Sequence, residues 1–266
     1  MRTVNATRYV TPLREGGSLP AIIEADDDGM YVLKFRGAGQ GPKALIAELI
    51  AGELARALGL LVPEIVFVEL DPELARTEPD PEIQELIRAS AGLNLALDYL
   101  PGSVMFDPVA EKVDSDLASR IVWFDAYVTN VDRTPRNTNM LTWHRRLWLI
   151  DHGAALYFHH TWTNYLERSR DAFALIKEHV LLQSTSAALS LGEIDSKMAA
   201  LITPQIIEGI VELIPDSWLA PESKLSDSPF GNLNDHREAY VEYLLSRLEP
   251  PRAFVEEAIR ARSLSI

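Results

Sequence analysis

The chain contains no cysteine. That excludes disulfides, thiol catalysis and cysteine-based zinc or iron–sulfur sites, and it fits a reducing compartment. No apolar run reaches the roughly 18 residues that a spanning helix requires. The opening MRTVNATRYVTPL has neither a signal-peptide core nor a small-residue cleavage pattern, so a soluble, cytoplasmic protein with no membrane insertion is expected. Basic residues are in deficit: 25 Lys+Arg against 39 Asp+Glu leave a net charge of −14. A field of that sign repels polyanions and argues against nucleic acid or an anionic membrane as a bulk partner. A small anionic ligand remains compatible, provided a metal ion and one or two lysines offset its charge locally.

What is present is ordinary globular material. The 266 residues suit one large domain or two lobes, and 47% hydrophobic with 24% charged residues excludes wholesale disorder. Residues 19–25 and 30–35 are short β-rich runs around Asp26-Asp27-Asp28-Gly29, which predicts a hairpin. Apolar positions at Leu45, Leu49, Leu54 and Leu58 predict an amphipathic helix ending near Gly59. Pro63 opens an apolar strand, a short helix is expected over 81–90, and residues 93–100 return to strand character before Pro101-Gly102. Beyond that point the chain reads as a helix over 114–130, a polar loop, two short β runs around Met140 and Trp148, and then mostly helices, with a surface loop over 221–234. An α+β fold follows: a small β-rich lobe with one key helix (1–100) and a larger, mainly helical lobe (101–266). Two lobes joined by a strand-like connector place a ligand in the cleft between them.

The informative stretch is Val131-Asp132-Arg133-Thr134-Pro135-Arg136-Asn137-Thr138-Asn139. Asp132 precedes Asn137 by five positions, and Asp151 follows Asn137 by fourteen, closing an apolar strand with Gly153 two residues on. Each alone reads as a turn-capping residue. In this order, on a strand–turn–strand framework, they match what phosphoryl transfer requires. One carboxylate orients or deprotonates a hydroxyl, while an amide oxygen and a second carboxylate hold a metal ion on the phosphates. Oxygen donors without cysteine or a histidine cluster suit Mg²⁺ rather than zinc.

The first lobe offers a partner. Lys34 sits in Tyr31-Val32-Leu33-Lys34-Phe35, where alternation puts Val32 and Lys34 on one face and Leu33 and Phe35 on the other. Both faces carry apolar neighbours, so Lys34 is a candidate to enter a cleft rather than solvent. Glu48 lies on the following helix among Leu45, Leu49 and Gly52, and a Lys–Glu pair would hold the ammonium at nucleotide phosphates. Glu15-Gly16-Gly17-Ser18, before the first hairpin strand, offers backbone N–H groups for the same phosphates.

Taken together, these residues resemble the HipA-like kinase family, with its distant link to phosphatidylinositol kinases and protein kinases. The likeness runs through Gly16-Gly17, Tyr31-Val32-Leu33-Lys34, Glu48, Gly59-Leu60-Leu61-Val62-Pro63, Asp132…Asn137 and Asp151, over roughly residues 14–155. It implies a two-lobed kinase-like fold and an ATP- and Mg²⁺-dependent transfer to a hydroxyl, a protein Ser/Thr being favoured over a small molecule. It further implies Asp132 as catalytic base and Asn137 and Asp151 as metal ligands. Lys34 would contact phosphates and pair with Glu48, Gly16, Gly17 and Ser18 would close over them, and Asp98, Tyr99 and Leu100 would hold adenine through the backbone. The alternatives are a nucleotide-binding pseudokinase or scaffold and a small-molecule or lipid kinase. Thr134 stands where the family typically has histidine, leaving Arg133 or Arg136 to supply charge at the transferred phosphate. The chain reads as a compact form without the family's N-terminal subdomain, and toxin activity and DNA association are not carried over.

Other matches are set aside. Gly37-Ala38-Gly39-Gln40-Gly41-Pro42-Lys43 fails as a phosphate loop because Pro42 precedes Lys43 and no Ser/Thr follows, so it is a connector. His144, His159, His160 and His179 lack metal-ligand spacing and read as surface or packing residues, as does His152. Trp123, Phe124, Trp143 and Trp148 read as core.

Overall fold

The structure is a computed structural model that describes residues 1–13, 19–39, 41–184, 188–219 and 229–264. Its first lobe is built on a closed five-stranded barrel: β1 (Thr3–Pro12), β2 (Ala21–Ala25), β3 (Met30–Lys34), β4 (Ile65–Leu70) and β5 (Gly92–Asp98), in the order β1-β2-β3-β5-β4. The expected β2–β3 hairpin forms with Ala21 opposite Leu33 and Glu24 opposite Met30. Asp27 Oδ1 accepts the Gly29 N–H at 3.0 Å, so the acidic turn closes on its own side chain.

β1 is a strand that sequence reading passed over. It pairs antiparallel with β2 and parallel with β4, closing the barrel. Only Val4 and Ala6 of its ten residues are buried, so its apolar signal is thin.

α1 (Pro42–Ala57) follows β3 and is almost wholly apolar where it packs. Leu45, Ile46, Leu49, Ile50 and Leu54 are buried, each contributing about 1.5–3 kcal/mol by removal from water. Gly59 adopts φ 72, and the Leu60 N–H reaches back to the Ala55 carbonyl at 2.9 Å, which stops the helix where the glycine predicts. α2 (Pro81–Ala89) is capped by Asp80, whose carboxylate accepts the Glu82 N–H at 3.0 Å.

The second lobe opens with a three-stranded sheet, β6 (Val104–Met105), β7 (Met140–Trp143) and β8 (Arg146–Leu149), in that order. α3 (Ser115–Tyr127) carries an Asp114 cap and ends earlier than the expected 130, because Thr129 turns into the left-handed region at φ 53. Among the described residues the remaining α-helices are α4 (Tyr165–Arg168), α5 (Ala188–Leu201), α6 (Pro204–Val211), α7 (Asp216–Leu219), α8 (Leu233–Leu248) and α9 (Ala253–Leu264). Most of the expected loop over 221–234 lies outside the described residues. Among the described residues no helix is long and apolar enough to cross a membrane.

Two cores result. One fills the barrel around Ile23, Tyr31, Leu33 and Val68. The other runs from α1 and the outer faces of β4 and β5 into α3, α6 and α8, so α1 is packed against both lobes. Trp218 of α7 lies in the second of these and ties the helical lobe to the barrel strands, packing edge-on to Phe67 at 5.6 Å and donating its indole N–H to the Leu93 carbonyl at 3.2 Å. Trp123 and Phe124 are core as expected, whereas Trp143 and Trp148 are half-buried and pack against each other at 5.5 Å.

Candidate active site

Between the lobes lies a cleft of about 810 Å³. Val32 and Lys34 reach it from β3 and Leu97 from β5; Asp132, Asn137 and Asp151 reach it from the second lobe. The alternation of β3 decides this. Tyr31 and Leu33 point into the barrel, which turns Val32 and Lys34 outward over the cleft.

Lys34 Nζ lies 2.7 Å from Asp151 Oδ1 and 3.8 Å from Glu48 Oε2, with its side chain 11% exposed. Burial pushes the ammonium pKa down, but the charges of Asp151 and Glu48 outweigh it and hold the group above the ordinary lysine value. Glu48 is buried on α1. Its carboxylate accepts the His152 backbone N–H at 2.9 Å and lies 3.2 Å from His152 Nδ1. Burial pushes this carboxyl up, yet the Lys34 charge and the His152 bonds prevail and keep it low. His152 is buried edge-on to Phe124 at 5.9 Å, the packing role expected of it, and it also ties α1 to the loop after β8.

Across the cleft, Asn137 Nδ2 donates to Asp132 Oδ2 at 2.8 Å. Asn139, at φ 47, donates its amide to the Asp132 carbonyl and to Oδ2, each at 3.3 Å. The loop is closed by reciprocal backbone bonds between Thr134 and Asn137 at 2.9 and 3.1 Å. With its Nδ2 donating to Asp132, Asn137 has its amide oxygen left as an acceptor, and the Asp151 side chain is 38% exposed. No group of three or more His, Asp or Glu that could hold a metal occurs among the described residues. Two protein oxygens completed by phosphates and water are the usual holding set for Mg²⁺, so this donor set fits that ion.

A family model described as HipA-like kinase matches residues 7–246. The chain belongs to the HipA-like kinase family. The fold of this HipA-like kinase is similar to the Helicobacter pylori proinflammatory kinase CtkA, with a TM-score of 0.55, 12% identity and 99% of each chain covered. It is also similar to the Golgi casein kinase, with a TM-score of 0.51 and 13% identity over 98% of this chain and 74% of the other. No curated protein matches by sequence.

Lys34, Glu48, Asp132, Asn137 and Asp151, each singled out in the sequence of this HipA-like kinase, therefore border one cleft. Gly16, Gly17 and Ser18 lie outside the described residues, although the flanking Leu13 and Pro20 line the cleft. Asp98, Tyr99 and Leu100 also line it, but their N–H groups are not equivalent. The Asp98 N–H goes to the Glu64 carbonyl at 2.8 Å and the Tyr99 N–H to the Met30 carbonyl at 3.0 Å. Of the three, only the Leu100 N–H has no partner among the described residues.

Arg133 requires a correction. It does not face the cleft to supply charge at a phosphate, because its Nε donates to Asp125 at 2.6 Å and its Nη1 to the Asn139 carbonyl, leaving it 1% exposed. Arg136 is exposed. Sequence reasoning missed Asn139 and Asp125. The signals available were a second asparagine two residues after Asn137 and a carboxylate set among Trp123, Phe124 and Tyr127.

Proposed function

We propose that this HipA-like kinase uses ATP with Mg²⁺ and transfers the γ-phosphate to the hydroxyl of a protein serine or threonine. The observation that carries the reading is the placement of Lys34 between Glu48 and Asp151, facing Asp132 and Asn137 across one cleft. Lys34 would hold the nucleotide phosphates and Glu48 would keep its ammonium in place. The Leu100 N–H would serve adenine, between the apolar walls of Val32 and Leu141. Asp132 is held through Oδ2 by two asparagines, which leaves Oδ1 to orient the acceptor hydroxyl and take its proton. The acceptor oxygen then bonds to the γ-phosphorus as the bond to the β–γ bridging oxygen breaks, and ADP leaves. Mg²⁺, held by Asn137 and Asp151, would neutralise developing phosphate charge. A protein acceptor is favoured by the open rim: Met105 lines the cleft yet is 45% exposed beside Val104 at 59%.

The test is [γ-³²P]ATP autophosphorylation or slow ATP turnover in wild type, Asp132→Ala and Asp151→Ala. Loss in both variants is expected, and equal signal in all three overturns the reading. A second reading, nucleotide binding without transfer, is favoured by one observation. Thr134 stands where the family has histidine, and Arg133 turns away from the cleft. Calorimetric binding of Mg²⁺-ATP with no turnover on protein, sugar or lipid acceptors would select it.

A further inference from the structure

Asp125 lies in the last turn of α3 with no exposed surface and no place in the cleft lining. Its Oδ2 accepts from Arg133 Nε at 2.6 Å and from His179 Nε2 at 2.8 Å, while Oδ1 accepts from Asn130 Nδ2 at 2.9 Å. His179 Nδ1 accepts the Leu181 N–H at 3.1 Å, so its proton resides on Nε2 and points at Asp125. A buried ion pair is weak evidence for stability by itself, since apolar replacements are often as stable. What distinguishes this one is where its partners lead.

Two arms run from Asp125 to Asp132. In the first, Asn130, whose amide is held by Asp125, accepts the Asp132 backbone N–H on Oδ1 at 3.2 Å. In the second, Arg133 donates to the Asn139 carbonyl, and the Asn139 amide donates to Asp132 Oδ2 at 3.3 Å. The Asn139 carbonyl also accepts the Ile150 N–H at 3.0 Å, which brings the residue before Asp151 into the same array. We propose that Asp125 is a positioning residue for phosphoryl transfer, holding the backbone of Asp132 through Asn130 and its carboxylate through Arg133 and Asn139.

This rests on the reading of Asp132 as catalytic base. The carboxylate is required because Asp125 meets only donors. An asparagine there would set its own NH₂ against either Arg133 and His179 or the Asn130 amide, whichever way it turned. Exchanging the two groups in the double variant Asp125→Asn/Asn130→Asp would restore an acceptor opposite every donor.

The experiment measures steady-state Mg²⁺-ATP turnover and thermal melts of the full chain for wild type, Asp132→Ala, Asp125→Asn, Asp125→Asn/Asn130→Asp and Asn139→Gly. Glycine at 139 tolerates the left-handed backbone while removing the amide. Asp125→Asn is expected to lower kcat by about tenfold or more while KM for ATP stays within about twofold, with the double variant regaining most of the loss. A folded Asp125→Asn with wild-type kcat, or a loss shared by KM, overturns the proposal. Should that variant fail to fold, Asn139→Gly decides: lowered kcat at constant KM supports the second arm, and unchanged kcat overturns it. Wild-type turnover in Asp132→Ala, or none in wild type, instead overturns the underlying kinase reading.

Discussion

Lys34 Nζ stands 2.7 Å from Asp151 Oδ1, joining the end of β3 to the loop that leaves β8. The same ammonium faces Glu48 of α1 at 3.8 Å, and Glu48 in turn accepts the His152 N–H. Three elements remote in sequence are thereby fixed around one positive charge in a chain of net charge −14. An anionic ligand entering the cleft meets a preformed cation whose two carboxylate partners differ. Glu48 is buried, while the Asp151 side chain is partly exposed, and on the proposed function it is Asp151 that would exchange the ammonium for a metal ion.

Removing that cation tests the asymmetry. Lys34→Met leaves Glu48 buried with only His152 as partner, and the unfolding free energy is expected to fall by about 3 kcal/mol. Asp151→Ala, at a half-exposed position, should cost the fold less. Urea unfolding of both variants checks this, and equal losses would contradict it.

Acid sensitivity follows from the buried carboxylates. Asp125 and Glu48 both feel burial pushing their pKa up, overcome by the charges of Arg133 and Lys34, so each sits below its ordinary value of 3.8 or 4.5. A depressed carboxyl contributes stability in full above its unfolded pKa and loses it as pH falls towards the folded one. Urea midpoints should therefore hold between about pH 6 and 8 and decline below about pH 5, with a shallower decline in Asp125→Asn. Lys34, raised above 10.5, contributes below that value and loses its contribution as pH rises beyond it. An identical acid decline in wild type and Asp125→Asn would show that Asp125 is not part of it.

How much of this was legible depended on the range of the interaction. Lys34 was readable because strand alternation is local, and the faces of β3 left it no apolar alternative. Asp132, Asn137 and Asp151 were singled out by order and spacing, and the fold sets all three on the same cleft. Arg133 was not, because its direction depends on Asp125 one helix end away and on His179, which reaches Asp125 across 54 positions. β1 escaped because a strand that buries only Val4 and Ala6 looks like a polar leader until its partners β2 and β4 are known. The Leu100 N–H could not be separated from its neighbours either, since only tertiary structure reveals that Met30 and Glu64 have taken the other two.

Whether Asn137 and Asp151 hold the metal, as the proposed function has it, or only shape turns is tested by metal dependence. Asn137→Ala and Asp151→Asn are each expected to raise the Mg²⁺ concentration for half-maximal turnover by about tenfold or more. A Mg²⁺ titration at saturating ATP provides the measurement. Unchanged half-saturation in both would remove them as ligands while leaving the cleft intact.

The last prediction links packing to the site through Gly52. A Cβ at this position would stand 2.4 Å from Ile65 Cδ1, so glycine is what lets α1 lie against β4. Alanine gains about 1 kcal/mol of helix propensity over glycine and asks only the Ile65 tip to move. Valine, being branched, cannot be accommodated so cheaply, and overpacking costs typically about 1–3 kcal/mol. Glu48 lies four residues earlier on the same face of α1, so a helix displaced from β4 carries Glu48 away from Lys34. Gly52→Val should therefore lower the melting temperature and raise KM for ATP together, with Gly52→Ala closer to wild type in both. Thermal melts paired with ATP titration check the coupling. A destabilised Gly52→Val with wild-type KM would show that the spacing of α1 from β4 does not govern the Lys34–Glu48 contact.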